Sequence, residues 1–157
     1  MTPPDTHPLA ALAGTFVGGG EGEYPTIADF TYTEELIVAP VPGRPLAHWR
    51  STTRDAVTGE PRHAESGFLR AVTGGVELVV AHGFGIVETS AGALADDHLT
   101  LDSIAVVGTV TAKQVDAIVR RYELAGDTLR YTIAMAAVGV PMTHHLRAEL
   151  HRTSPTP

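Results

Sequence analysis

Hydrophobic residues along the chain fall into short runs, most of them alternating with polar residues, with turn-forming residues roughly every 8 to 12 positions. A period of two is what a strand with one buried face requires. The spans 15–23, 30–38, 46–54, 63–71, 76–81, 85–89, 98–101, 104–109, 115–124, 129–138 and 144–152 read as strands. Between them, Pro42-Gly43, Thr58-Gly59, Gly74-Gly75, Gly92 with Asp96-Asp97, and Gly126-Asp127 supply turn-competent backbone. The span 124–129 is the plainest hairpin. In 129–138, Leu129, Tyr131, Ile133, Met135 and Ala137 share one face, and Thr128, Arg130 and Thr132 share the other, as in a barrel wall. Only the alanine-rich stretch 9–13 suits a helix, a brief lid or plug. The pattern predicts an all-β fold: a single antiparallel, roughly ten-stranded up-and-down β-barrel with a short N-terminal helix. Closure removes exposed edges, and a barrel of this size can enclose a ligand.

Composition narrows the class. A chain of 157 residues fits one domain, 1–157, with flexible ends at 1–8 and 153–157. A formal net charge of −7 disfavours nucleic acid and anionic membrane surfaces, which call for clustered Lys or Arg. The absence of cysteine excludes disulfides, thiol catalysis and iron–sulfur clusters. No apolar run approaches the roughly 20 residues of a membrane helix, and 1–8 carries no secretory pattern, so a cytoplasmic protein is expected.

The stretch Gly14-Thr15-Phe16-Val17-Gly18-Gly19-Gly20-Glu21-Gly22-Glu23-Tyr24-Pro25-Thr26-Ile27 carries the most information. Gly18, Gly20 and Gly22 lie on one strand face. Either something bulky crosses close to the backbone there, or the strand bends sharply. A phosphate-binding loop does not fit, because no Gly-Lys-Ser/Thr and no following helix are present. No serine sits in a Gly-x-Ser-x-Gly elbow. A zinc site would need three or four converging ligands, and adjacent His144 and His145 point to opposite faces of a regular strand.

The spacing Gly14-x-Phe16-x-Gly18-x-Gly20-x-Gly22-x-Tyr24-Pro25-x-Ile27 resembles the glycine-rich signature of the nitrobindins. The segments 63–70, 76–82, 85–88, 111–113 and 135–146 match that family in the same order. The family usually carries Trp where this chain has Phe16, which keeps an aromatic body and loses the indole N–H. The resemblance implies a ten-stranded barrel like that of fatty-acid-binding proteins, with one b-type haem per chain near one mouth. It implies ferric iron held by one proximal histidine, at the position of His145. It also implies a peroxynitrite isomerase, converting peroxynitrite to nitrate, with no catalytic residue beyond the haem iron. Thr26 and Lys113 match positions at the haem edge, and Met135 and His63 match positions lining the pocket. The family analogy extends to a homodimer.

The residues alone leave the ligand open. Strict alternation in the last strand groups His144 with Leu146, Ala148 and Leu150 and points it inward, making it the rival of His145. A β-bulge near Pro141 could re-aim either one. Two other functions suit the same chain: a reversible nitric-oxide-binding haem sensor or carrier, and a haem-free barrel holding a small apolar ligand.

Overall fold

The computed structural model describes residues 6–153. Ten antiparallel strands close on themselves. They are β1 (Gly14–Tyr24), β2 (Ile27–Pro40), β3 (Leu46–Asp55), β4 (Pro61–Val72), β5 (Gly75–His82), β6 (Ile86–Ala95), β7 (His98–Gly108), β8 (Val115–Ala125), β9 (Thr128–Ala137) and β10 (Val140–Arg152). Each strand pairs with its neighbour in sequence, and β1 pairs with β10, so the barrel has no free edge. Among the described residues, no helix is long and apolar enough to cross a membrane. Of the ends expected to be flexible, 1–5 and 154–157 lie outside the described residues. Within the rest, His7 Nε2 lies 2.7 Å from Arg44 O, and Thr153 N donates to Thr15 O at 2.8 Å.

Two expectations change in detail. The spans 98–101 and 104–109 are one strand, β7, because its pairing with β6 slips where Ser90 faces Ser103 and Thr89 faces Ala105. Ile104 is the extra residue, and a bulge of this kind breaks the period-two pattern that sequence reading follows. Gly92 is not a turn residue. It sits inside β6 opposite Leu101, where a Cβ would lie 1.7 Å from Thr100 O, and the chain reverses at Asp96-Asp97 instead.

An up-and-down barrel places alternate hairpins at opposite ends. One end is closed. A 3-10 turn (Ala10–Leu12) lays buried Leu9 and Leu12 across it, over Phe16, Leu36, Leu69, Leu78, Leu99, Leu101 and Leu150. Burying each such side chain contributes about 1.5–3 kcal/mol. Phe16 belongs to this closed end, under the Arg152 guanidinium, 4.9 Å from its ring centre. The Phe-for-Trp departure therefore bears on the floor of the barrel. At the other end, the β1–β2, β3–β4, β5–β6, β7–β8 and β9–β10 connections surround an open mouth. Here β7 and β8 part company: their pairing runs only from His98–Glu123 to Asp102–Val119, and Ser103 Oγ accepts from Ile118 N (2.9 Å) where they separate. Ile27, Phe84, Val138 and Met142 all stand exposed on strand ends and turns at this mouth.

The glycine face of β1 makes room for close neighbours. A Cβ on Gly18 would lie 2.2 Å from Glu149 O, and one on Gly20 would lie 2.5 Å from both Arg147 O and the Tyr32 ring. One on Gly22 would meet the Phe30 ring at 2.2 Å. The period-two glycines thus admit the β10 backbone and two inward aromatic rings. At Gly14, φ is +138°, a conformation that disfavours other residues.

Candidate functional site

The five positions expected to line a cofactor gather at the open mouth. Thr26 is in the β1–β2 turn, Lys113 in the β7–β8 connection, His63 near the start of β4, Met135 near the end of β9, and His145 near the start of β10. Thr26 and Lys113 are exposed, and the other three are half-buried.

The pairing of β9 with β10 separates the two adjacent histidines. Thr143 faces Met135, His144 faces Ala134, and Leu146 faces Ile133, which leaves His145 as the extra residue of a bulge. Met135 and Ile133 are on the inward face of β9, so His144 lies on the outward one, beside Glu21 and Arg147 in a surface depression. Strict alternation had pointed His144 inward, and the bulge reverses the phase. The His145 ring packs edge-on against two inward aromatics, Tyr24 at 5.4 Å and Phe30 at 6.2 Å between centres. Tyr24 is itself fixed, its Oη donating to Met135 O at 3.1 Å.

The tautomer of His145 follows from its partner. Nδ1 lies 3.0 Å from Glu23 O, and a carbonyl only accepts, so Nδ1 carries the proton. Nε2 then holds a lone pair and makes no hydrogen bond among the described residues. Burial pulls the ring's pKa below the ordinary histidine value, which favours the neutral form. A neutral imidazole oriented through its other nitrogen by a backbone carbonyl is how proteins present histidine to a metal. With the apolar mouth around it, this donor fits a flat hydrophobic cofactor carrying a metal at its centre.

Below the mouth the interior is polar. Arg120, on the inward face of β8 and 2% exposed, donates to both oxygens of Glu65 (Nη1–Oε1 and Nη2–Oε2, both 2.8 Å). It also donates to both oxygens of Glu88 (Nε–Oε1 3.0 Å, Nη2–Oε2 2.5 Å). Trp49 Nε1 donates to Glu65 Oε1 at 2.9 Å, and Ser90 Oγ to Glu88 Oε1 at 2.6 Å. Despite burial, the Arg120 charge holds Glu65 well below the usual carboxylate range and brings Glu88 down to about 2. His82 Nε2 bonds Glu88 Oε2 at 3.0 Å, and His82 Nδ1 bonds His63 Nε2 at 3.1 Å, carrying the network to the mouth.

Glu34 forms a second polar cluster. It accepts from Ser51 Oγ (2.6 Å) and from Tyr131, whose hydroxyl also meets that of Tyr32. With no direct cationic partner, burial raises the Glu34 pKa. A raised carboxyl stabilises the fold below the ordinary carboxylate range and loses that contribution as pH rises through its folded value. Glu34→Gln is therefore expected to gain stability relative to wild type as pH rises. Urea unfolding of both proteins from pH 4 to 8 checks this, and a constant difference would contradict it.

None of Arg120, Glu34, Glu65, Glu88 or His82 stood out individually in the sequence. Their signal is positional: each is a polar or charged residue at an inward position of a strand, and they fall at similar depth.

Residues 5–152 match the family model described as THAP4-like, heme-binding beta-barrel domain. The chain is 46% identical over 154 residues to a peroxynitrite isomerase of Nocardia farcinica, covering 95% of this chain and 91% of the relative. It is 43% identical over 161 residues to peroxynitrite isomerase 2 of Mycobacterium marinum, covering 97% and 99%. Among solved structures, Rv2717c from M. tuberculosis superposes with a TM-score of 0.86 at 40% identity, over 93% of this chain and 95% of that one. On this evidence, and in agreement with its glycine signature, the chain belongs to the nitrobindin-type, THAP4-like haem-binding β-barrel family.

Proposed function

We propose that this protein binds one ferric haem b per chain through His145 and isomerises peroxynitrite to nitrate. The observation that carries the reading is the bulged His145, with its Nδ1 proton committed to Glu23 O and its Nε2 bare at an apolar mouth. The relatives named peroxynitrite isomerase supply the reaction. Bound there, a ferric haem would supply Lewis-acidic iron chemistry toward a small anion.

The chain's own residues account for the rest. Tyr24 and Phe30 wall the His145 ring and fix its plane. Met135 offers a polarizable side chain to a macrocycle face. Lys113 makes no ion pair among the described residues, and Thr26 carries a free-standing hydroxyl in its turn. Both suit the carboxylates at a haem edge. His63 stands on the inward face of β4, where its polar ring faces the pocket. The ionised Arg120–Glu65–Glu88 layer forms a fixed floor, so the mouth can fill without disturbing the core.

Stopped-flow mixing of the haem-loaded protein with peroxynitrite tests the reading. Peroxynitrite decay should accelerate in proportion to protein concentration, with nitrate as the product. An unchanged decay rate, or nitrite as the main product, would overturn it.

A further inference from the structure

We infer that His63, His82 and Glu65 form a second metal site, for one divalent cation of the zinc class, within the barrel and separate from His145. His63 Nε2 and His82 Nδ1 are 3.1 Å apart, and Glu65 Oε2 lies 3.7 Å from the first and 3.6 Å from the second. The point equidistant from three atoms so spaced is about 2.0 Å from each, which matches zinc–nitrogen and zinc–oxygen bonds of roughly 2.0–2.2 Å. Two imidazoles and a carboxylate converging in this way are a ligand set for zinc or a neighbouring transition metal, with further positions left to water.

The protonation states suit a metal. Glu88 accepts from His82 Nε2, so that nitrogen carries the proton and Nδ1 offers its lone pair to the site. The single proton between the two rings then belongs to His63 Nε2, donated to His82 Nδ1. A cation takes that proton's place when it shifts to His63 Nδ1 on the half-exposed side of the ring, and no net charge need leave the site. The charges agree: Glu65 and Glu88 against Arg120 leave −1 in the buried cluster with the histidines neutral. Arg120 occupies Glu65 Oε2 from one side at 2.8 Å, and the carboxylate oxygen retains a second lone pair for the metal. Glu88 behind His82 and Trp49 behind Glu65 hold the ligands in place. Phe84, exposed on the β5–β6 turn, packs against both rings, tilted to His63 (5.5 Å) and edge-on to His82 (5.6 Å), and covers the approach from the mouth.

Zinc chloride titration of the full chain, with and without haemin, tests the site calorimetrically. One zinc per chain is expected, with affinity falling at least tenfold in His63→Ala and unchanged in His98→Ala and His151→Ala, which alter surface histidines. Glu88→Gln should weaken binding about 10-fold or more through His82. Because His63 is half-exposed, its alanine variant tests the site without emptying the core. Anomalous diffraction at the zinc edge should place the ion between His63, His82 and Glu65. Absence of one-to-one binding, indifference to His63→Ala, or an ion located at His145 or the outer surface would overturn the assignment.

Discussion

Arg120→Met is expected to destabilise the protein by about 3–5 kcal/mol, because it leaves two buried carboxylates facing each other with no cation. Glu65 and Glu88 are 7% and 0% exposed, and Arg120 supplies two donors to each. Methionine fills much of the same volume, so the loss reports charge and hydrogen bonding rather than a cavity. Arg120→Lys keeps the charge without the planar fork and should fall between the two. The triple variant with Glu65→Gln and Glu88→Gln should recover much of the loss, since the uncompensated charges disappear together with their partner. The acid side of the stability profile should move too. Carboxyls with lowered pKa values stabilise the fold above the ordinary carboxylate range and lose that contribution as pH falls, for Glu88 towards about 2. Without Arg120, burial and mutual repulsion would instead raise both carboxyls, so the sign reverses and Arg120→Met should regain stability relative to wild type as pH falls. Urea unfolding from pH 3 to 8 measures both effects, and an Arg120→Met protein as stable as wild type would contradict this account of the barrel floor.

The second large effect concerns backbone approach. Gly18→Ala would set a Cβ 2.2 Å from Glu149 O and 2.8 Å from Leu150 Cα, both backbone atoms of β10. Overpacking costs about 1–3 kcal/mol where side chains can yield. Here strand β10 itself must move, so the cost should reach or exceed the top of that range. Gly19→Ala, one residue away on the outward face, meets only Tyr32 O at 3.1 Å and should stay within about 0.5 kcal/mol of wild type. Thermal unfolding of the pair separates a requirement for glycine at one face from a general cost of losing glycine. Equal effects at the two positions would show that the period-two spacing is not what matters.

How much of this was legible in the sequence depends on how strictly period two was kept. Strand β9 keeps an unbroken period of two, and its span in the sequence falls within a residue of its observed ends. The pattern fails where a bulge adds a residue. Ile104 made one strand look like two, and His145 made the parity of β10 point to its neighbour. Bulges leave little trace in a single sequence, because the inserted residue need not differ in type from those around it. The histidine pair was visible as chemistry, but which ring turns inward depends on one unpaired residue. The polar floor was hidden for another reason. Arg120, Glu65, Glu88 and Glu34 sit on different strands, and each reads in isolation as an ordinary charged strand residue. Only the closing of the barrel brings them to one level. The convergence of His63, His82 and Glu65 has the same origin: the register that sets Glu65 against His82 across β4 and β5 is a tertiary fact.

Haemin titration of the purified apoprotein, followed by Soret absorbance in wild type, His145→Ala and His144→Ala, tests the central claim most directly. The bulge geometry predicts a saturable one-to-one spectrum of histidine-ligated ferric haem in wild type and in His144→Ala, and its loss in His145→Ala. Loss in His144→Ala with retention in His145→Ala, or no specific spectrum in any of the three, would contradict it.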